Sequence, residues 1–513
     1  MRTNLFLLAL LILAGCGPQN PEFSRLLKEN GNQFDLLIRN GLVLNGIDSL
    51  PDNADILIRG DEILYIGPVD TSKIEVERII DAAGKYVTPG FIDTHAHGDP
   101  LETPEFANFL AMGVTTICLG QDGDSPETED LSGWMQRVND TVPGVNIALF
   151  AGHGTLRQLS GVGYAPDPSP EGLAKMKQLL QQAMDAGCFG MTTGLEYTPG
   201  IYAKPPEMAE LAKVVGQNDG LIMSHVRNED DDQIAASIQE LLDQGRYCNV
   251  QVSHLKVVYG KGKERAREIL DLLFGDTERP YRVSADIYPY TASYTGIGIV
   301  FPQWAKPPND YATVARSRRA ELLTFLHDKV MSRNGPEATL LGTPPYRGKT
   351  LKQVSEEMNK PFEQVLLEDI GPGGASAAYF VMDDTLQTTL LADPRIMVCS
   401  DGSPTMHHPR GYGSFARIIE QYVLQQHLFS LPEAVRKMTA LPAGTLGLKD
   451  RGTLQPGRKA DLLVFDPAAV KAVADFVEPH ALSRGFDWVI VNGQVALDNG
   501  QFAGRRSGRV LRH

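Results

Sequence analysis

Short apolar runs begin at Phe34 and recur with turn residues between them. Phe34-Asp35-Leu36-Leu37-Ile38, Ala54-Asp55-Ile56-Leu57-Ile58 and Ile63-Leu64-Tyr65-Ile66 predict strands, broken at Asn40-Gly41 and Arg59-Gly60-Asp61. A matching set returns near the far end, in Ala460-Asp461-Leu462-Leu463-Val464-Phe465 and in Trp488-Val489-Ile490-Val491 before Asn492-Gly493. The two terminal segments, 33–88 and 441–513, are therefore expected to pair into one small β-sandwich domain. Between them strands and helices alternate. Strand-like runs lie near residues 89–95, 114–119, 146–151, 188–195, 220–225, 249–254, 282–288 and 396–400. Helical patterns fill most of the gaps. From Glu171 to Ala186, for instance, Leu173, Met176, Leu179, Leu180 and Met184 fall at helical spacing, and Asp232 to Leu242 is a second such stretch. Eight strands alternating with helices predict an α/β chain with a (β/α)8 TIM-like barrel over 89–440. The stretch from Tyr294 to about Arg395 is too long for one crossover. It reads as a helical insertion, 295–395, between the seventh and eighth strands, near the barrel mouth.

The first residues follow another pattern. Leu5 to Leu13 is an almost unbroken apolar run after Met1-Arg2-Thr3-Asn4, too short for a comfortable membrane span but suited to a signal peptide. It ends in Leu13-Ala14-Gly15-Cys16, and small residues before a cysteine look like a bacterial lipoprotein signal. The expectation is a signal over 1–16, a lipidated Cys16 and a polar tether over 17–32. The protein would then be lipid-anchored in the bacterial cell envelope, as a periplasmic or outer-membrane lipoprotein. Gly17 stands where the aspartate for inner-membrane retention would be. An ordinary secretory signal with a chance cysteine is the alternative.

Charge narrows the partners. Across 513 residues, 48 Lys and Arg face 63 Asp and Glu, for a formal net charge of −15. That balance argues against a nucleic-acid partner, which wants a basic face. The later cysteines, Cys118, Cys188, Cys248 and Cys399, sit in or beside apolar runs, form no CxxC pair and read as buried thiols.

Catalytic groups of such a barrel collect where its strands end. The first strand ends in Asp93-Thr94-His95-Ala96-His97, the fifth at Ser224-His225, the sixth at Ser253-His254 and the eighth at Ser400-Asp401-Gly402. Alternate residues on a strand share a side, so His95 and His97 point at one spot. One histidine at a strand end is ordinarily a polar group making a hydrogen bond. Four in this order, with an aspartate after the last strand, indicate a metal site. Imidazoles with carboxylates suit Zn²⁺, one ion or two. Zinc makes hydroxide available near neutral pH, and Asp401 is placed to move the proton.

His-x-His after Pro89-Gly90-Phe91-Ile92-Asp93, with the later histidines and aspartate, resembles the amidohydrolase superfamily. More closely, the chain resembles the N-acyl-D-amino-acid deacylases, or D-aminoacylases, from about residue 34 onward. Supporting stretches are Gly152-His153-Gly154-Thr155-Leu156-Arg157, Thr193-Gly194-Leu195-Glu196-Tyr197-Thr198-Pro199-Gly200 and Ser224-His225-Val226-Arg227-Asn228-Glu229. They continue in Ser253-His254-Leu255-Lys256, Asp286-Ile287-Tyr288-Pro289-Tyr290-Thr291-Ala292-Ser293 and His408-Pro409-Arg410-Gly411-Tyr412-Gly413. The resemblance implies hydrolysis of N-acyl-D-amino acids or short D-peptides to a carboxylate and a free D-amino acid. It implies His95, His97, His225 and His254 as metal ligands and Asp401 as the general acid/base. It also implies that Lys256, Tyr288 and Arg410 hold the substrate's α-carboxylate, for which a planar guanidinium is well suited. His153 reads as structural support.

The sequence departs from the family at one turn. Members often carry Gly-Asn-Cys-Gly after the second strand, with a metal-binding cysteine; here the turn is Gly120-Gln121-Asp122-Gly123 and Cys118 does not align. An anionic replacement is expected, with Glu196, at the end of the fourth strand, favoured and Asp122 the alternative. A carboxylate there would make the site less zinc-selective than a thiolate. Two rival functions remain. One is another amidohydrolase, of the dihydroorotase, hydantoinase or isoaspartyl dipeptidase kind; the other is a catalytically silent binding lipoprotein.

Overall fold

The computed structural model describes residues 21–513. The signal segment, Cys16 and the start of the tether lie outside the described residues. The rest of the tether is not extended: Pro21–Asn30 is a helix that buries Phe23 and Leu26. Phe23 packs against Tyr65 with ring centroids 5.5 Å apart. Apolar residues at positions 23, 26 and 27, absorbed by a neighbouring sheet face, explain why a polar-looking stretch folds.

Strands from both ends of the chain share one nine-stranded sheet. Gln33–Val43 pairs antiparallel with Asp52–Arg59, and Leu462–Phe465 pairs with both Phe486–Val491 and Tyr86–Pro89. Both faces are covered. Leu36, Ile38, Ile56 and Ile58 pack with Leu462, Val464 and Ile490, while Phe34, Leu37 and Leu57 meet the N-terminal helix. The last residues leave this sheet: Val510 bridges Ile147, and Leu511 is buried.

Eight parallel strands lie between: β1 (Phe91–Asp93), β2 (Val114–Leu119), β3 (Asn146–Leu149, continued by Ala151–Gly152), β4 (Gly190–Gly194), β5 (Leu221–His225), β6 (Asn249–Val252), β7 (Val283–Ile287) and β8 (Ile396–Val398). Each pairs in parallel with the next, from β1 to β8. Every position of β2, β4 and β5 is buried, as expected of parallel strands covered on both faces. Just beyond β1 and β8, Ala96 bridges Gly402 in parallel, His97 N–H donates to Gly402 at 2.7 Å and Asp401 N–H donates to His95 at 2.8 Å. The strands thus close into a ring, and closure places the first histidine pair beside Asp401.

The segment between β7 and β8 has its own core around Val300, Leu326, Leu351 and Leu366. It contains helices such as Arg319–Ser332 and also a three-stranded antiparallel sheet of Ser293–Gly296, Ser376–Tyr379 and Thr339–Leu341, which the helical expectation did not include. The short apolar runs that make this sheet, such as Thr339–Leu341, are too brief to show a period. The four cysteines of the described residues, Cys118, Cys188, Cys248 and Cys399, are free and buried.

Candidate metal centre

Six side chains converge at the C-terminal ends of the strands. His95 Nε2 lies 3.3 Å from Asp122 Oδ1, and His97 Nε2 lies 3.2 Å from Asp401 Oδ1. His254 Nε2 is 3.2 Å from Asp122 Oδ1 and 3.0 Å from His225 Nδ1. Asp122 stands in the middle, its Oδ1 3.8 Å from His225 Nδ1 and its Oδ2 3.7 Å from His97 Nε2. Two groups of potential ligands therefore share this carboxylate: His95, His97, Asp122 and Asp401 on one side, and Asp122, His225 and His254 on the other. His95 is fully buried, yet neither ring nitrogen has a hydrogen-bond partner. Buried polar atoms without partners are uncommon, and a donor set of imidazoles and carboxylates facing inward fits a divalent metal.

Glu196 sits elsewhere. Its Oε2 is 3.1 Å from His225 Nε2, the nitrogen that faces away from Asp122 and His254. A histidine using Nδ1 toward the centre is oriented by a carboxylate at its other nitrogen. Asp122 thus touches both histidine groups, while Glu196 forms a further group of potential ligands with His225 and Glu229 at the outer nitrogen of His225.

The backbone here is strained. Asp122, His254 and Asp401 have φ of 55°, 37° and 48°, in the left-handed region that non-glycine residues rarely occupy. Two buried carboxylates hold the strand ends. Asp93 Oδ1 accepts from His95 N–H at 3.1 Å and from Ser400 N–H at 3.0 Å; burial pushes its pKa up to about 7. Asp286 accepts from the backbone N–H of His254 and from Thr94 and Gln251.

Lys256, Tyr288 and Arg410 cluster beside the donors. Lys256 Nζ and Arg410 Cζ lie 5.8 and 4.8 Å from the Tyr288 ring centroid. Neither cation is free: Lys256 Nζ is 2.7 Å from Glu229 Oε1 and 2.8 Å from His254 Nδ1, and Arg410 Nη1 is 2.8 Å from Asp401 Oδ2. The Tyr288 hydroxyl and Arg410 Nε are buried without partners. Burial pushes the Tyr288 phenol up to about 12, so it stays a donor. Burial also pushes Asp401 upward, but Arg410, His254 and His97 outweigh it and hold the carboxyl well below its usual range. A cavity of about 550 Å³ is lined by His97, Asp122, His225, His254, Lys256, Asp401 and Arg410, together with Tyr294, Thr295 and Ser376 from the insertion.

Sequence reasoning missed Glu229, 3.4 Å from His254 Nδ1, and Tyr197, whose ring centroid is 4.5 Å from that of His225. Both lay inside stretches recognised as motifs; their signal was an acid and an aromatic close behind strand ends. His153 is outside the centre, 2.7 Å from Glu207, which also binds Arg157.

A ring of parallel strands with this donor set at its C-terminal ends defines a hydrolase of the amidohydrolase class. Residues 357–497 match the model of the Amidohydrolase family. The chain is 31% identical to the D-aminoacylase of Alcaligenes xylosoxydans xylosoxydans over 94% of its own length and 99% of that protein. It is 32% identical to the N-acyl-D-glutamate deacylase of the same organism, over 94% and 97%. The crystal structure of N-acyl-D-glutamate deacylase from Bordetella bronchiseptica, complexed with zinc and a phosphonate that mimics the tetrahedral intermediate, superposes with a TM-score of 0.81. It shares 30% identity, over 94% of this chain and all of that one. The chain belongs to the D-aminoacylase family of N-acyl-D-amino-acid deacylases.

Proposed function

We propose that this protein hydrolyses N-acyl-D-amino acids to a carboxylate and a free D-amino acid, with Zn²⁺ held by His95, His97, Asp122, His225 and His254. The observation that carries the reading is the pair of buried cations, Lys256 and Arg410, on the wall of the cavity that also holds the donors, each within 5.8 Å of the centroid of the buried Tyr288 ring. With Arg410 Nε unpartnered on this wall, and the Tyr288 hydroxyl buried beside it also without a partner, the site suits the α-carboxylate of an amino acid. When bound, zinc supplies Lewis acidity and lowers the pKa of water. Asp401 offers Oδ1 to the centre while Arg410 holds Oδ2, so one oxygen is left to take the proton of the attacking water and pass it to the leaving amine. Glu196 orients His225, and Glu229 does the same for His254 once its Nδ1 carries the proton that metal binding at Nε2 requires.

We read the ring as the (β/α)8 barrel and the shared terminal sheet as the β-sandwich domain, with boundaries at 33–88, 89–440 and 441–513. We also propose that Cys16 is lipidated and holds the enzyme in the cell envelope, on the strength of its Leu-Ala-Gly-Cys context. Mass spectrometry of the mature N-terminus tests this: a soluble, unlipidated enzyme would contradict it. The activity is tested with matched N-acetyl-D- and N-acetyl-L-amino acids in the presence of Zn²⁺. The D series should be hydrolysed and the L series spared. Faster opening of hydantoins or dihydroorotate would move the chain to the ring-opening amidohydrolases.

A further inference from the structure

A cavity of about 690 Å³ opens at the opposite end of the barrel from the metal donors. Leu221, Asn249 and Val283, the first residues of β5, β6 and β7, line it, as do Pro394 and Arg395 just before β8. The last residue of β5 is the donor His225, so the length of that strand separates the two sites. Gly46 and Ile47, just after the strand Gln33–Val43 of the terminal sheet, also contribute, and so does the helix Ala440–Leu446. Pockets for small molecules run to about 300–1,000 Å³, so this one has the size of a ligand site. It lies on the face of such barrels that serves stability rather than chemistry.

Its lining is apolar, through Leu221, Phe274, Val283 and Leu441, and it includes no aspartate, glutamate, histidine or cysteine among the described residues. Every charged residue on it is an arginine, in a chain whose net charge is −15. Two of these are neutralised already. Arg395 gives Nε and Nη2 to Asp393 at 2.9 and 2.7 Å, and its Cζ lies 4.4 Å from the Phe274 ring centroid. Arg436 gives Nε and Nη2 to Glu433, both at 2.8 Å. The exposed Arg282 has no such partner. It forms no ion pair among the described residues, and its one side-chain hydrogen bond, from Nη1 to the Gly444 carbonyl, is long at 3.3 Å. One unneutralised guanidinium beside an apolar hollow is complementary to one negative charge on an apolar body, and its planar fork matches a carboxylate.

We propose that this cavity binds a medium-chain aliphatic monocarboxylate, with the alkyl chain among Leu221, Phe274, Val283 and Leu441 and the carboxylate on Arg282. It is a binding site and not a second active site, because its lining offers no nucleophile, general base or metal donor. The proposal is independent of the deacylase reading above. Gly444 gives a way to close the cavity. It lies on the lining, inside the helix Ala440–Leu446, and a Cβ added there would meet no atom within 4 Å. Leucine at this position occupies the hollow and is also the better helix former.

The test is calorimetric titration of the zinc-loaded protein with hexanoate, heptanoate and octanoate. Affinity should rise about fourfold per methylene, the worth of one buried CH₂. Gly444→Leu should abolish the binding while Tm and zinc content stay at the parent's level. Arg282→Met should weaken octanoate about tenfold, the scale of one charge-assisted hydrogen bond, and leave 1-octanol unchanged. Binding that survives Gly444→Leu and vanishes when zinc is stripped belongs to the metal donors and overturns the proposal. Affinity indifferent to chain length, or no binding of any of the three acids, overturns it as well. So does a dimer that Gly444→Leu dissolves with no octanoate bound, which would make a second copy of the chain the occupant.

Discussion

Replacing Asp122 by asparagine separates the two carboxylates that could stand in for the missing cysteine. Asparagine is nearly isosteric and tolerates the left-handed backbone at φ 55°, so the turn should survive. Asp122 lies 3.2 to 3.8 Å from ring nitrogens of all four histidines. A unit charge pair about 4 Å apart at an effective dielectric of 20 is worth ~4 kcal/mol. Even after partial compensation, losing this carboxylate should weaken zinc binding by more than about 100-fold, or ~2.7 kcal/mol. Glu196→Gln removes only a partner on the outer nitrogen of His225, for which the usual cost is about 10- to 100-fold. Apo protein titrated with Zn²⁺ against a chromogenic chelator reads both constants, and a thermal melt of each apo variant reports whether the fold is intact. A larger loss in Glu196→Gln than in Asp122→Asn, with both folded, would refute the placement of Asp122 at the centre.

Other substitutions probe the rest of the site and the fold. Asp401→Asn should keep its metal, by elemental analysis, while kcat falls by about 10²- to 10⁴-fold, the usual worth of a positioned acid/base; near-normal kcat would remove it from proton transfer. Lys256→Met should raise KM for N-acetyl-D-amino acids by roughly ten- to a hundredfold through a lost charged hydrogen bond. It should change KM far less for the matching α-carboxamides, and equal effects on both would contradict the carboxylate assignment. Lys437, in the helix Leu431–Met438, is buried and donates to the Asp393 carbonyl; burial pulls its pKa from 10.5 down to about 7. Between those values the unfolded chain binds a proton that the folded protein does not, so this group adds stability as pH rises through the window and loses it as pH falls toward 7. The stability of Lys437→Met relative to the parent should therefore be highest near pH 7 and decline toward pH 10, by at most ~1.4 kcal/mol per pH unit. Parallel curves of Tm against pH would contradict the shifted lysine.

The sequence made His95, His97, His225, His254 and Asp401 visible because each closes an apolar run, and strand period and strand polarity alone bring such positions together. Glu196 and Asp122 were both visible as acids, but spacing alone could not rank them. The ranking depends on which nitrogen of His225 turns inward, and that is a rotamer set by packing rather than by spacing. Glu229 was hidden for a related reason: four residues after His225 it is already in a loop, where no period predicts direction. Asp93 and Asp286 looked like parts of apolar strands, and only the closed ring shows that they brace the backbone of His95 and His254. The alternation of strands and helices was legible because parallel strands are buried on both faces. The helix Pro21–Asn30 was not, because its Phe23, Leu26 and Leu27 have meaning only against the Tyr65 face of the terminal sheet.

The central claim is metal-dependent hydrolysis of N-acyl-D-amino acids, and one matched assay addresses it. Protein stripped of metal and then reloaded with Zn²⁺ is offered the same N-acetyl-amino acid as D and L enantiomers, with release of free amine followed. Turnover of the D enantiomer that is absent after stripping and restored by Zn²⁺, with the L enantiomer slower by orders of magnitude, is the predicted result. Preference for the L enantiomer, or D turnover indifferent to metal, would contradict it.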